Sequence, residues 1–292
     1  MAEKAARVLT LLTDYGAGGP FVGALHAVAC RLAPEVRVID LDHSVPPHDV
    51  RVGALRLERF VAHLPRGVHV AVVDPGVGTT RRPVAVRSGE QFFVGPDNGL
   101  LAWALDAAGG AVAAVEISAG TPRSSAGART FDGRDVFVPA GCHLARGLPL
   151  ESLGPPLDPA TLVRLERPEA RRLDDGALVL EVAQVDVFGN LQFAGDARDA
   201  ASLGLVPGDL LAIETADGRR LAARYGTAFA DVGQGDLVLL VDSDGRLALA
   251  RNRGRAVDAL GLPPDSAVVV RAGALVDPRA RDPHRRQSDE GP

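Results

Sequence analysis

The chain has 292 residues, 46% of them hydrophobic and 24% charged, with a formal net charge of −5. That length supplies core for two domains, and the acidic balance offers no footprint for nucleic acid, which is not expected as a partner. No apolar stretch reaches the ~20 residues that cross a bilayer, and the N-terminus lacks a signal-peptide core. No membrane association is therefore expected. Two cysteines, Cys30 and Cys142, lie in apolar segments, which predicts buried thiols and a cytoplasmic location.

Taken in chain order, VLTLLTDYG reads as a strand and its exit loop, and FVGALHAVACRLAP as a helix stopped by Pro34. VRVIDLDHSV is a second strand, DVRVGALRLERFVAHLP a second amphipathic helix and VHVAVVDPG a third strand. VAVRS and QFFVGPDNG form a hairpin pair, and LLAWALDAAGG a helix ended by glycines. The alternation predicts an α/β fold over residues 1–168, a mostly parallel, Rossmann-like sheet flanked by helices. Its strands run into Asp14, Asp42, Asp74 and Asp97, which gathers acids along one sheet edge. After the proline-rich LGPPLDP the pattern changes to short strands with tight turns, among them Asp-Gly pairs at 217–218 and 244–245. A small C-terminal β-barrel, or else a sandwich, is expected over 175–275. Residues 277–292, rich in Arg, Asp and Pro, predict a disordered tail.

The most informative stretch is VAVVDPGVGTTRRP, residues 70–83. Asp74 stands at the end of a buried strand, where open α/β sheets place their ligands. Arg81, in the same turn, can hold that carboxylate ionised and still offer donors; an ordinary Asp-Pro-Gly turn is the other reading. Several templates fail. Gly76-Val77-Gly78 lacks the third glycine of a dinucleotide loop, and there is no P-loop or nucleophile elbow. His43, His48 and Asp49 sit in a proline turn without ligand-face spacing, so no metal is expected. Cys142 and His143 are adjacent on a helix and diverge. Four segments keep both a functional and a structural reading. Thr13-Asp14-Tyr15-Gly16 offers a ribose acceptor or a turn. The Asp74/Arg81 loop is the second. Thr130 to Asp135 offers an aromatic beside a carboxylate, or a cap and a surface ion pair. Asp186-Val187-Phe188-Gly189-Asn190 offers a binding loop or a hairpin turn.

With HSVPPHDV, GPDNGLL and the NRG at 252–254, these segments resemble, in order and spacing, the S-adenosyl-L-methionine (SAM) hydrolase family, also called SAM hydroxide adenosyltransferases and related to the fluorinase and chlorinase. The resemblance runs from about Arg7 to Arg271. It implies hydrolysis of SAM to adenosine and methionine without cofactor or metal, in a homotrimer whose sites lie between subunits. Carried over, Asp14 resembles the ribose acceptor, and Asp74 and Arg81 two of three residues that activate water. Phe131 and Phe229 resemble aromatic contacts to the adenosine, Asp186 a partner of the methionine amine, Phe188 a stacking ring and Asn190 an adenine contact. Ser243 resembles a contact to the methionine carboxylate, and Arg251 and Asn252 fall in the strand that closes over the adenine. The chain departs from the family at Asp132, where its hydrolases carry histidine, at Gly19, where an acid is usual, and at Asp244, where the halogenases carry arginine. The resemblance thus implies a catalytic set of Asp74, Arg81 and Asp132. A SAM- or adenosine-binding protein with impaired catalysis, and a halogenase, are its alternatives.

Overall fold

The computed structural model describes residues 7–118, 130–262 and 266–273; the tail at 277–292 lies outside the described residues. The chain divides into two compact units, residues 1–166 and 167–292.

In the first unit β1 (Val8–Thr13), α1 (Pro20–Leu32), β2 (Arg37–Asp42), α2 (Val50–Val61) and β3 (Val68–Val72) alternate as the sequence pattern requires. β1 pairs in parallel with both β2 and β3. The hairpin follows, β4 (Pro83–Ser88) and β5 (Gln91–Pro96), with β5 parallel to β3. α3 (Ala102–Ala107), β6 (Ala113–Glu116), α4 (Val138–Ala145) and β7 (Pro156–Leu157) complete a sheet of order β2-β1-β3-β5-β4-β6-β7. β3 is buried at every position, as expected of a strand covered on both faces. Leu9, Leu11, Val28 and Leu144 fill the core on the α1/α4 face. Leu12, Leu57, Leu101 and Leu105 fill the core on the α2/α3 face.

Cys142 is buried on α4, but Cys30 is exposed, against the expectation of two buried thiols. The buried stripe of α1 is Val22, Leu25, Val28 and Ala29, and the next residue is rotated about 100° out of it.

The second unit holds β8 (Arg171–Arg172), β9 (Leu178–Val185), β10 (Leu191–Asp196), α5 (Ala197–Ser202), β11 (Leu210–Thr215), β12 (Arg220–Tyr225), β13 (Leu237–Val241), β14 (Arg246–Arg251), α6 (Ala256–Leu260) and β15 (Ala267–Ala272). The Asp-Gly turns join β11 to β12 and β13 to β14 as antiparallel pairs. β10 bonds to β14 on one side and β9 on the other, so seven strands close into a barrel and the sandwich alternative falls away. Its interior is packed with Leu180, Phe193, Ile213, Leu239 and Val268. Among the described residues no helix is long and apolar enough to cross a membrane.

Candidate active site

The loop after β3 explains why Pro-Gly-Val-Gly-Thr-Thr separates Asp74 from Arg81. Val77 N–H donates to the Asp74 carbonyl at 3.3 Å and Thr79 N–H to the Gly76 carbonyl at 3.1 Å. The Thr79 hydroxyl donates to that same carbonyl at 2.7 Å. Gly78 takes a left-handed φ of 79°, open to glycine at little steric cost. These turns return Arg81 onto the carboxylate it left. Its Nε donates to both Asp74 oxygens at 3.0 Å, and Nη2 donates to Oδ2 as well. Nη2 also donates to Asp132 Oδ2 at 2.6 Å. The guanidinium carbon lies 5.2 Å from the centre of the Phe137 ring, an added restraint on the cation.

Asp132 reaches Arg81 from a different element. It precedes one turn of π-helix, Gly133–Phe137, that leads into α4; such turns recur at functional sites. Its side chain makes no cap bond there, so the carboxylate is directed at Arg81 rather than at its own helix. An ion pair does form next door, between Arg134 Nε and Asp135 Oδ1 at 2.8 Å, but Asp135 is buried, so it is not the surface pair expected. The side chains of Asp74, Arg81 and Asp132 are 6%, 11% and 11% exposed. Burial disfavours the Arg81 cation, but hydrogen bonds and charge from Asp74 and Asp132 outweigh it and raise its pKa. The result is a fixed cation between two carboxylates.

Asp14, just beyond β1, opens onto the same cleft, and its Oδ2 accepts the His48 N–H at 2.9 Å. The rings of Tyr15, Phe21 and Phe131 meet edge to face or tilted, with centroids 5.4–5.9 Å apart. Together these groups line an open cleft of about 290 Å³, at the small end of the ~300–1,000 Å³ usual for small-molecule sites. Burial, reinforced by the charges of Asp14, Asp74 and Asp132, pushes the Tyr15 phenol well above its ordinary pKa. It therefore stays a protonated donor at neutral pH.

Asp14, Asp74, Arg81, Phe131 and Asp132 thus come together. Two other strand-end acids do not: Asp42 takes Arg56 Nη1 at 2.6 Å, and Asp97 takes Arg82 Nε and Val163 N–H, each at 2.8 Å. Asp49 caps α2 through Val52 N–H at 2.9 Å, and among the described residues no group of His, Cys, Asp and Glu is arranged to hold a metal. Sequence reasoning left out Tyr15 and Phe21. Their signal was an aromatic inside TDYG and another at a helix start, where Phe21 is 50% exposed.

In the second unit the Asp186 loop is the hairpin turn between β9 and β10. Asp186 Oδ1 accepts Phe188 N–H and Asn190 N–H at 2.9 Å each, and Oδ2 accepts Asn190 Nδ2 at 2.8 Å. Phe188 stands 72% exposed and Phe229 52%. Arg251 ends β14 and donates through Nε to the Gly235 carbonyl at 2.7 Å. Asn252 lies one residue beyond that strand and donates to the Val232 carbonyl at 2.7 Å. Pairing of Leu191 with Leu249 sets Asn190 near Arg251, whereas Ser243, in the β13–β14 turn, lies at the other end of β14.

The model of the SAM hydroxide adenosyltransferase N-terminal domain matches residues 9–154, and that of the C-terminal domain residues 180–269. An (R)-S-adenosyl-L-methionine hydrolase of Salinispora tropica is 47% identical over 91% of this chain and 98% of its own. One from Thermus thermophilus is 40% identical over 88% and 96%, and a fluorinase of Actinopolyspora mzabensis 30% identical over 86% and 93%. A solved structure of an uncharacterized conserved protein from Thermotoga maritima superposes with a TM-score of 0.81 at 31% identity, covering 90% of this chain and 99% of its own. Two domain models in order, relatives matched along nearly their whole length and one shared fold lead to one conclusion: this chain belongs to the SAM hydroxide adenosyltransferase family.

Proposed function

We propose that this protein hydrolyses SAM to adenosine and L-methionine. The observation that carries the reading is the buried Asp74–Arg81–Asp132 cluster on a cleft walled by Asp14 and three aromatic rings. SAM is a sulfonium, so its 5′ carbon already bears a good leaving group, and the site has only to hold water in line. The water oxygen bonds to the 5′ carbon as the carbon–sulfur bond breaks and its electron pair leaves with methionine; one water proton is released. Asp74 is committed through both oxygens to holding Arg81, which makes Asp132 the proton acceptor, while the guanidinium stabilises the developing hydroxide. No cofactor is required by this route. A halide nucleophile fits poorly, because two carboxylates against one cation leave the cluster net negative and would repel it.

Asp14 is assigned to the ribose hydroxyls and Phe131 to the adenosine. We assign Asp186, Phe188, Asn190, Phe229, Ser243, Arg251 and Asn252 to the rest of SAM, supplied by the barrel of a neighbouring copy in a cytoplasmic homotrimer. The support is the family resemblance together with the exposure of Phe188 and Phe229. The experiment is incubation of purified protein with SAM in ¹⁸O water. Adenosine labelled at the 5′ oxygen and methionine are expected. Intact SAM that still protects the protein against heating would establish the binding-protein alternative instead, and sedimentation tests the trimer.

A further inference from the structure

The cleft's first wall, the loop Thr13–Gly16, is held by a neighbouring segment that no catalytic role accounts for. His43 grips it twice. Its Nδ1 lies 2.8 Å from Thr13 Oγ1, and its carbonyl accepts the Gly16 N–H at 2.8 Å. Five residues on, His48 N–H donates to Asp14 Oδ2 at 2.9 Å. To do so His48 adopts a left-handed φ of 68°, a conformation uncommon for a side-chain-bearing residue and kept where surrounding structure enforces it.

The imidazole is itself oriented from behind. His43 Nε2 is 3.0 Å from Asp40 Oδ1, an electrostatic contact without hydrogen-bond geometry, and the same carboxylate is met by His26 Nε2 from α1 at 2.9 Å. The Asp40 charge favours a proton on Nε2 of His43, which leaves Nδ1 as an acceptor for the Thr13 hydroxyl. Thr13 Oγ1 in turn accepts the Tyr15 N–H at 3.2 Å. A hydrogen-bonded line therefore runs from His43 through Thr13 to the backbone flanking Asp14, with the Asp40 charge behind it. Thr13 and His43 are both buried, so water cannot replace a bond lost between them.

We infer that His43 is a positioning residue for substrate binding, acting through Thr13 to aim Asp14 and Tyr15 into the cleft. The inference rests on reading that cleft as the SAM site. It makes His43 a determinant of KM rather than kcat, because Asp14 holds the ribose in ground state and transition state alike.

Two variants separate the two imidazole nitrogens. His43→Asn keeps a polar atom near the Nδ1 position and loses the Asp40 contact; His43→Gln does the reverse. Asparagine is expected to keep KM for SAM within about two-fold of the native value, whereas glutamine raises it at least about five-fold, the effect of one buried unsatisfied hydroxyl. kcat should stay within about three-fold in both. Thr13→Val removes the hydroxyl from the other side and should raise KM equally, without adding to His43→Gln. Equal KM values in the two His43 variants, rescue by glutamine alone, or parallel losses of kcat and KM that track thermal stability would each overturn the inference. The dissociation constant of adenosine, followed in the same variants, should move with KM. Native protein that binds adenosine but leaves SAM intact would refute the hydrolase reading while still testing His43.

Discussion

Replacing Gly133 with alanine should damage catalysis as well as stability. A Cβ built there lies 3.1 Å from both Cε2 and Cζ of Tyr15, and closer still to the phenol oxygen. Clearing that overlap takes a movement of about 1 Å. Gly133 cannot easily make it, because Arg134 N–H and Asp135 N–H on its turn both donate to the Phe131 carbonyl, at 3.1 and 3.0 Å. The Tyr15 ring is backed by Phe131 and Phe21, so the displacement passes to the chain on either side, which carries Asp14 in one loop and Asp132 in the other. Overpacking of this kind costs about 1–3 kcal/mol of stability, roughly 2–12 °C in melting temperature for a domain of this size. A misplacement of ~1 Å at reacting groups costs about 10²-fold in rate, or ~2.7 kcal/mol of transition-state stabilisation. Adenosine formation followed by chromatography, beside thermal melting, measures both. Adding Tyr15→Phe to the glycine variant removes the nearest atom and should recover part of the loss. A Gly133→Ala protein with native kcat/KM would refute the reasoning, as would a loss that Tyr15→Phe leaves unchanged.

Three further outcomes follow from the same geometry. Asp132→Asn should lower kcat by about 10²–10⁴-fold with KM little changed, and Asp132→His should keep turnover; native kcat in the asparagine variant would remove Asp132 from the mechanism. Arg81→Lys cannot reproduce the forked contact to Asp74 and should lower kcat/KM by about 10²–10³-fold, read in the same assay. His69, buried on β3 with Thr10 Oγ1 at 3.0 Å, has its pKa lowered by burial to about 4. The unfolded chain takes up that proton near pH 6.5, so the contribution of His69 to stability should fall by roughly 3 kcal/mol as pH drops from about 6.5 to about 4. Denaturant titrations across that range should show a steeper loss in native protein than in His69→Gln, since His143, its pKa also lowered by burial, remains in both.

The order of strands and helices in the first unit was legible because each run carries its own period and its own stop, Pro34 for α1 and the glycines after α3. The acids were only half legible. Asp14, Asp42, Asp74 and Asp97 share one local pattern, a strand running into a carboxylate and a turn. Whether such an acid faces a cleft or a structural partner depends on groups remote in sequence: Asp97 is claimed by Val163, Asp132 by Arg81. No window of sequence contains both members of those pairs. A barrel is expected from the short strands and tight turns, but what decides it against a sandwich is again remote: the β9–β10 turn is local, whereas the β10–β14 pairing that closes the ring joins strands about 55 residues apart. The position of Cys30 needed no remote information; the helical stripe of α1 excludes it.

That cysteine is also an opportunity. Burial pushes the Cys142 thiol up to about 12, so its reactive thiolate is scarce at neutral pH, while Cys30 is open to solvent. A thiol-directed dye should therefore attach at one place per chain without any engineering. Cys30 stands nine positions along the helix from Phe21, about 14 Å along the axis. A fluorophore there would lie outside the cleft yet near enough to register its filling, and native protein could report its own ligand occupancy in real time.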